Sequence, residues 1–176
     1  MGKEQAMEKA KKVKFVILDI HGVLTDNTLY YTQEGTKSEA FSLHDRLGIK
    51  ALTDSGIGVS FLTTKISRAD EQMSKIYGIP PERLWGQGAK MARVDEFEKE
   101  TGFRDEDICY VGDEMIDLAV MKRSGFSAAP ADGSHEARGV ADYVTAAGGG
   151  KGVVRELAQL ILEAQGKWDR FVEQFK

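Results

Sequence analysis

Four polar positions follow one another along the chain with side chains suited to phosphoryl transfer. They are Asp19 in LDIHGVLTD, Thr63 in FLTTK, Lys90 in WGQGAK, and the acids Asp113, Glu114 and Asp117 of GDEMID. A carboxylate can attack phosphorus to give an aspartyl phosphate, and a hydroxyl with an ammonium can hold the non-bridging oxygens. Further acids can bind Mg²⁺ through oxygen, and the cation neutralises charge that would otherwise repel an anionic nucleophile from an anionic substrate. Singly these residues are ordinary, since an Asp at a strand end often caps a turn, a Thr is commonly structural and a surface Lys is usually solvated. Their joint order, each at the edge of an apolar run, is what points to a phosphoryl-transfer site.

The runs that must position them are β-favouring. Val13 to Asp19 (VKFVILD) is nearly continuous apolar sequence ending in an acid, as a strand buried on both faces would be. Ile57 to Thr63, and Ile108 to Val111 before Gly112 and Asp113, repeat that design. Between them lie segments of helical spacing. Arg46 to Ser55 carries Leu47, Ile49 and Leu52 and stops at Gly56, Ser67 with Asp70 resembles a capping box opening a helix that ends at Gly78, and a further helix should run from about Ala89 to Glu100, before Gly102. Alternating strands and helices imply right-handed parallel crossovers, hence a doubly wound α/β sheet of the Rossmann-like kind, with ligands beyond the carboxyl ends of its strands. The polar tips at 19, 63 and 113 converge there.

Two stretches depart from the rhythm. Thr28 to Phe41 reads as strand, turn at Glu34 and Gly35, strand, which predicts a hairpin over about 28–41 inserted after the first strand. Residues 152–176 read as one or two amphipathic helices, with Val153, Leu157, Leu160 and Ile161 on one face. No internal repeat or linker divides the chain, so residues 1–176 are expected to form one domain.

Composition fits a soluble globular protein: 41% hydrophobic and 30% charged residues, three prolines and a net charge of −4, which gives no sequence-wide pull toward nucleic acid or anionic membrane. The one cysteine, Cys109, sits in the apolar run ICYV, so a disulfide framework is excluded and a buried strand thiol in a reducing compartment is expected. Residues 1–12 mix lysines and glutamates as a short helical or frayed segment would, and no apolar run approaches the roughly 18 residues of a membrane helix. A cytoplasmic protein is expected.

On these residues the chain resembles the haloacid dehalogenase superfamily, and within it the small capless sugar-acid phosphatases, the 3-deoxy-D-manno-octulosonate 8-phosphate phosphatases. The likeness spans about residues 13–165: LDIHGVLTDN, the hairpin with LYY, HDRLGIKAL, FLTTKIS, the GQGAK lysine, YVGDEMIDLAVM with GFS, ADYVT and GGGKGVVREL. The resemblance implies Asp19 as nucleophile, Thr63 and Lys90 as phosphate ligands, and Mg²⁺ bound by Asp19, Asp113 and the backbone carbonyl of His21. Glu114 and Asp117 support that site, and Asn27, Thr64 and Lys65 fall where substrate would bind. It further implies hydrolysis of a small phosphorylated sugar acid, as in lipopolysaccharide biosynthesis. No cap domain can hide between Asp26 and Asp45 or between Thr64 and Lys90, so the resemblance also implies a homotetramer, built through the hairpin, whose neighbouring subunits roof the site.

The sequence departs from the family pattern at one informative place. The first motif there is Asp-x-Asp, and His21 stands at the second aspartate, which protonates the leaving alkoxide and then activates water, a contribution of about 10²- to 10⁴-fold in rate. An imidazole can do the same acid/base work. It can equally mark a slowed or lapsed enzyme, a module that keeps the fold, assembly and metal without useful turnover. Thr64 and Lys65 replace Gly and Arg, Met73 replaces Arg, Arg46 and Asn27 replace Gly, and Glu114 replaces Asp. Lys65 keeps the charge and loses the fork geometry.

Other residues read more plainly. GGGKG (Gly148 to Gly152) lacks the Ser or Thr that a nucleotide P-loop needs after its Lys, and reads as a loop beside the site. His44 and His135 read as surface residues, and Trp168, Phe171 and Phe175 as a packing stripe. A phosphate-storing receiver domain uses similar residues, but places its paired acids before the phosphorylated aspartate; here they follow Thr63 and Lys90.

Overall fold

The computed structural model describes residues 3–176. Of the segment expected to be helical at the start of the chain, Lys3–Ala10 forms helix α1, and residues 1 and 2 lie outside the described residues. Strand β1 (Phe15–Leu18) follows, then the hairpin strands β2 (Tyr30–Tyr31) and β3 (Lys37–Ser38), helix α2 (Leu43–Asp54) and strand β4 (Gly58–Thr63). Helix α3 (Arg68–Tyr77), strand β5 (Leu84–Gly86), helix α4 (Lys90–Thr101) and strand β6 (Ile108–Val111) continue the alternation. It closes with α5 (Leu118–Arg123), β7 (Phe126–Ala129), α6 (His135–Val140), β8 (Tyr143–Val144), α7 (Val153–Ala164) and α8 (Trp168–Glu173).

Six strands form one parallel sheet in the order β5-β4-β1-β6-β7-β8, with β1 flanked by β4 and β6. Successive side chains of a strand point to opposite faces. Val16 and Leu18 accordingly join a core with α1, α2, α3 and α7, while Phe15 and Ile17 join a second core with α4, α5 and α6. Helices on both faces make the sheet doubly wound, as expected, and both faces of β1 are buried.

The capping signals act where the sequence places them. Ser67 accepts from the Asp70 amide at 3.2 Å while Asp70 Oδ2 accepts from the Ser67 amide at 2.7 Å, and α3 ends at Gly78 with φ +77°, a left-handed conformation that costs glycine nothing. Helix α2 begins three residues before the expected Arg46, because the Ser42 hydroxyl accepts from the His44 amide and opens the helix there.

Asp45 has a role that its position in α2 conceals. Its buried carboxylate accepts from the amides of Gly152 (3.1 Å), Val154 (2.7 Å) and Arg155 (3.4 Å), so it caps α7 from another helix. Nearby, a Cβ at Gly48 would stand 2.6 Å from the Val154 backbone, which is why α2 and α7 can cross so closely there.

The hairpin is a separate two-stranded sheet with both strands exposed, and it stands alone between β1 and α2. Between β4 and β5 there is only α3 and a 3₁₀ turn over Pro81–Arg83. No cap domain covers the carboxyl edge among the described residues. Among them, too, no helix is long and apolar enough to cross a membrane. Cys109 is fully buried in β6, and burial pushes its thiol well above the ordinary range.

Candidate active site

The carboxyl ends of β1, β4 and β6 bring the expected residues to one rim. Asp19 directly follows β1, and its amide donates to Val111 O at 3.0 Å, extending the β1–β6 ladder to the carboxyl edge. Thr63 closes β4, Asp113 lies two residues beyond β6, and Lys90 opens α4. Asp19, Asn27, Thr63, Thr64, Lys90, Asp113 and Glu114 line one cleft of about 190 Å³, with His21 on its wall.

Lys90, only 3% exposed, is the electrostatic centre. Its Nζ lies 2.7 Å from Asp19 Oδ2 and 2.8 Å from Asp117 Oδ1. Asp117 is fully engaged: Oδ1 also accepts from the Tyr110 hydroxyl at 2.6 Å, and Oδ2 accepts from the amides of Asp113 (3.1 Å) and Glu114 (3.2 Å). Asp117 therefore positions Lys90 and the Asp113 loop. Asp113 differs, since no hydrogen bond from the described residues reaches its carboxylate. That side chain packs over the Gly22 backbone, where a Cβ would stand 1.9 Å from Asp113 Oδ2; Gly22 also has φ +82°.

Carboxylate oxygens of Asp19, Asp113 and Asp117 lie within 4.8 Å of one another. Three buried acids around one ammonium leave net negative charge, and the titration behaviour reflects it. Burial pushes the Asp19 carboxyl up to about 6 despite the opposing pull of Lys90, and burial together with the Asp19 and Asp117 charges pushes Asp113 up to about 7. An all-oxygen donor set that lacks a positive charge fits a hard divalent cation such as Mg²⁺. Asp113 has both oxygens open to such an ion, and Asp19, which takes one contact on each oxygen (Lys90 on Oδ2, the Ile20 amide on Oδ1), still has lone pairs to offer.

The remaining expected residues divide. Asn27 is exposed, with φ +58°, and lies on the cleft with Thr64. Lys65 is exposed and is not among the residues that line it. Glu114 turns its Oε1 to the Met115 amide at 2.7 Å and caps the turn over Met115–Asp117. The His21 imidazole leans away from the acid cluster: its Nε2 lies 3.1 Å from Glu39 Oε1 and 3.9 Å from Asp70 Oδ1. Met73 is buried in the core. The loop at 148–152 packs beside the site, with the Gly150 amide donating to Val23 O at 2.9 Å.

Tyr110, Glu39 and Asp70 take part in ways the sequence does not announce. Tyr110 reads as one more apolar residue of β6, and its parallel pairing with Ile17 is what places the hydroxyl beneath the site. Asp70 carries the signature of a helix cap, which it also is.

Comparison with known proteins agrees with this geometry. The profile of the haloacid dehalogenase-like hydrolases matches residues 86–157. The 3-deoxy-D-manno-octulosonate 8-phosphate phosphatase KdsC of Escherichia coli (strain B / BL21-DE3) is 36% identical over 163 residues, 93% of this chain and 86% of the relative. The chain belongs to the haloacid dehalogenase superfamily. Similar chains are also found among solved structures. That of the Moraxella catarrhalis 3-deoxy-D-manno-octulosonate 8-phosphate phosphatase, in complex with a magnesium ion, a phosphate ion and a KDO molecule, superposes with a TM-score of 0.92 at 34% identity, covering 98% of this chain and 99% of that one. The cobalt-bound Haemophilus influenzae enzyme superposes with a TM-score of 0.85 at 35% identity, over 95% of this chain and 98% of that one.

Proposed function

We propose that this protein is a Mg²⁺-dependent phosphatase of a small phosphorylated sugar acid such as 3-deoxy-D-manno-octulosonate 8-phosphate, acting through an aspartyl phosphate on Asp19. The observation that carries the reading is the convergence of Asp19 and Asp113 from two adjacent strand tips, with Lys90 held between Asp19 and Asp117. Relatives across nearly the whole chain bear that phosphatase's name, which supports the substrate class.

The chemistry divides among the chain's residues. Asp19, with one oxygen held by the Ile20 amide at 2.7 Å, attacks phosphorus as the ester P–O bond breaks. Lys90 and Thr63, both buried at the rim, hold the non-bridging oxygens. Asp19, Asp113 and the His21 carbonyl would hold Mg²⁺, which when bound would supply neutralisation of the negative charge that gathers there. His21 gives a proton to the leaving alkoxide and takes one from the water that hydrolyses the aspartyl phosphate, releasing inorganic phosphate and freeing Asp19. Since Nε2 faces Glu39, that transfer falls to Nδ1. Asn27 and Thr64 contact the substrate beyond its phosphate, and Lys65 reaches in from the rim. Thr64 lines the cleft at a position where the family resemblance implies Gly, and Met73, turned into the core, offers the site no arginine, so specificity among sugar acids is shifted.

Single-domain organisation over residues 1–176, a cytoplasmic location and a homotetramer belong to the same reading. Support for the tetramer comes from the hairpin, where Leu29, Tyr30 and Tyr31 are exposed apolar and aromatic side chains. A monomer in sedimentation at micromolar concentration overturns that part.

Phosphate release from a panel of phosphorylated sugars and sugar acids with Mg²⁺ tests the activity, beside Asp19→Asn and His21→Asp. Activity unchanged in Asp19→Asn defeats the enzyme reading. A second reading, an assembly module with lapsed turnover, draws on the orientation of His21 away from Asp19. Activity that appears only in His21→Asp establishes it.

A further inference from the structure

His21, Glu39 and Asp70 form a cluster separate from the acid centre, drawn from the β1 loop, the exit of the hairpin and the first turn of α3. The donor atoms of all three lie within 4.8 Å of one another. The Glu39 side chain is only 2% exposed and that of Asp70 not at all. Both Glu39 oxygens and Asp70 Oδ1 are buried without a hydrogen-bond partner among the described residues. Asp70 Oδ2 is committed to the Ser67 amide, which leaves Oδ1 to face the imidazole.

A buried carboxylate without partners is expensive, and native structures rarely tolerate one. Two nitrogens approach Glu39 Oε1, His21 Nε2 at 3.1 Å and Lys37 Nζ at 3.2 Å, but neither has hydrogen-bond geometry. The spacing suits another occupant. Tetrahedral coordination at roughly 2.0–2.1 Å sets donors about 3.3 Å apart, and the 3.1 Å and 3.9 Å separations from Nε2 to Glu39 and Asp70 bracket that value.

We propose that His21, Glu39 and Asp70 bind a second divalent cation, of the first-row transition class typified by Zn²⁺. The donor set decides the class: an imidazole nitrogen with two carboxylates suits Zn²⁺, whereas Mg²⁺ prefers the all-oxygen centre at Asp19 and Asp113. His21 is 30% exposed on its side chain, which gives the ion a path in and leaves room for a water as fourth ligand. The bound ion ties the hairpin exit to α3 and fixes the imidazole ring. This site stands on its own residues and does not require Asp19 to act as a nucleophile.

The test is calorimetric titration of Zn²⁺ into the full-length protein, stripped of metal and then saturated with Mg²⁺. Wild type and Asp19→Asn are expected each to bind one Zn²⁺, and Zn²⁺ to raise the melting temperature of both. Glu39→Gln and Asp70→Asn, which keep nearly the same shape and retain an oxygen to cap α3 at position 70, should bind at least about tenfold more weakly. Unchanged circular dichroism and Mg²⁺ binding show that these variants fold. The proposal is overturned by absence of Zn²⁺ binding in the Mg²⁺-saturated wild type, by binding that survives both carboxylate substitutions, or by binding that disappears in Asp19→Asn alone, which would place Zn²⁺ in the acid centre. Phosphate release is assayed with Mg²⁺ alone, without Zn²⁺, so none of these outcomes alters it and the two readings fail separately.

Discussion

The Tyr110 hydroxyl donates to Asp117 Oδ1 across 2.6 Å from beneath the acid centre, so a strand residue of the core supports the carboxylate that positions Lys90. Removing that hydroxyl should be felt at the site as well as in the fold. Tyr110→Phe is expected to lower stability by about 1.5 kcal/mol, the worth of a buried hydrogen bond to a charged group. Urea denaturation measures it, and an unchanged midpoint refutes it.

Asp117→Asn removes the charge that shares Lys90 with Asp19, and turns an amide nitrogen toward donors that need acceptors. Breaking a buried ion pair from one side costs about 3–5 kcal/mol. Lys90 keeps Asp19 here, so the loss should fall at the lower end of that range. Denaturation of the purified variant gives the value, and phosphate release should fall with it.

Gly22→Ala should displace Asp113, because the new Cβ would stand 1.9 Å from Asp113 Oδ2 and the residue would sit at φ +82°. Mg²⁺ affinity is expected to drop about 10- to 100-fold, comparable with the loss of an orienting partner around a metal. Calorimetric titration at neutral pH reads this directly, and affinity within twofold of wild type contradicts it.

The pH dependence follows from two raised carboxyl groups. In the metal-free protein Asp19 is pushed up to about 6 and Asp113 to about 7, from an ordinary value of 3.8, mainly by burial. Between about pH 4 and 7 the folded state therefore binds more protons at these positions than the unfolded chain, and their contribution to stability falls as pH rises. Mg²⁺ needs both groups ionised, so its binding should release protons and tighten at least about tenfold from pH 5.5 to 8. Metal titrations at the two pH values decide it, and weaker binding at pH 8 would reverse the argument.

Asp45→Ala strips the Gly152 amide and two amides of the first turn of α7 of their acceptor and should destabilise the protein by about 2 kcal/mol, the upper range for an N-cap. Asp45→Asn, which keeps one oxygen, should lose less. Equal losses in thermal or urea unfolding would show that charge, and not the cap, is what matters.

Sequence pattern reached the parts of this molecule that depend on local chemistry. The apolar runs ending at Asp19, Thr63 and Val111 became neighbouring strands, and the Ser67–Asp70 box and Gly78 bounded α3 where local rules put them. Strands β7 (FSAA) and β8 (YV) carry too little period or length to stand out, and only pairing to β6 makes β7 a strand. The α2 start shifted because a single hydroxyl, Ser42, outweighed the apolar spacing. At the site, Asp19 and Lys90 were legible from position, whereas the Glu39 and Asp70 neighbours of His21 come from segments 18 and 49 residues away. No local pattern encodes such a meeting, and Asp45 is hidden for the same reason.

β1 is the first strand made, yet it lies between β4 and β6. An N-terminal fragment ending before residue 108 therefore has Phe15–Leu18 hydrogen-bonded along one side only, with a bare, wholly apolar edge toward the missing neighbour. During synthesis the strand that leads into Asp19 is thus left open to mispairing, and its protection arrives only when the polypeptide has been extended past Val111.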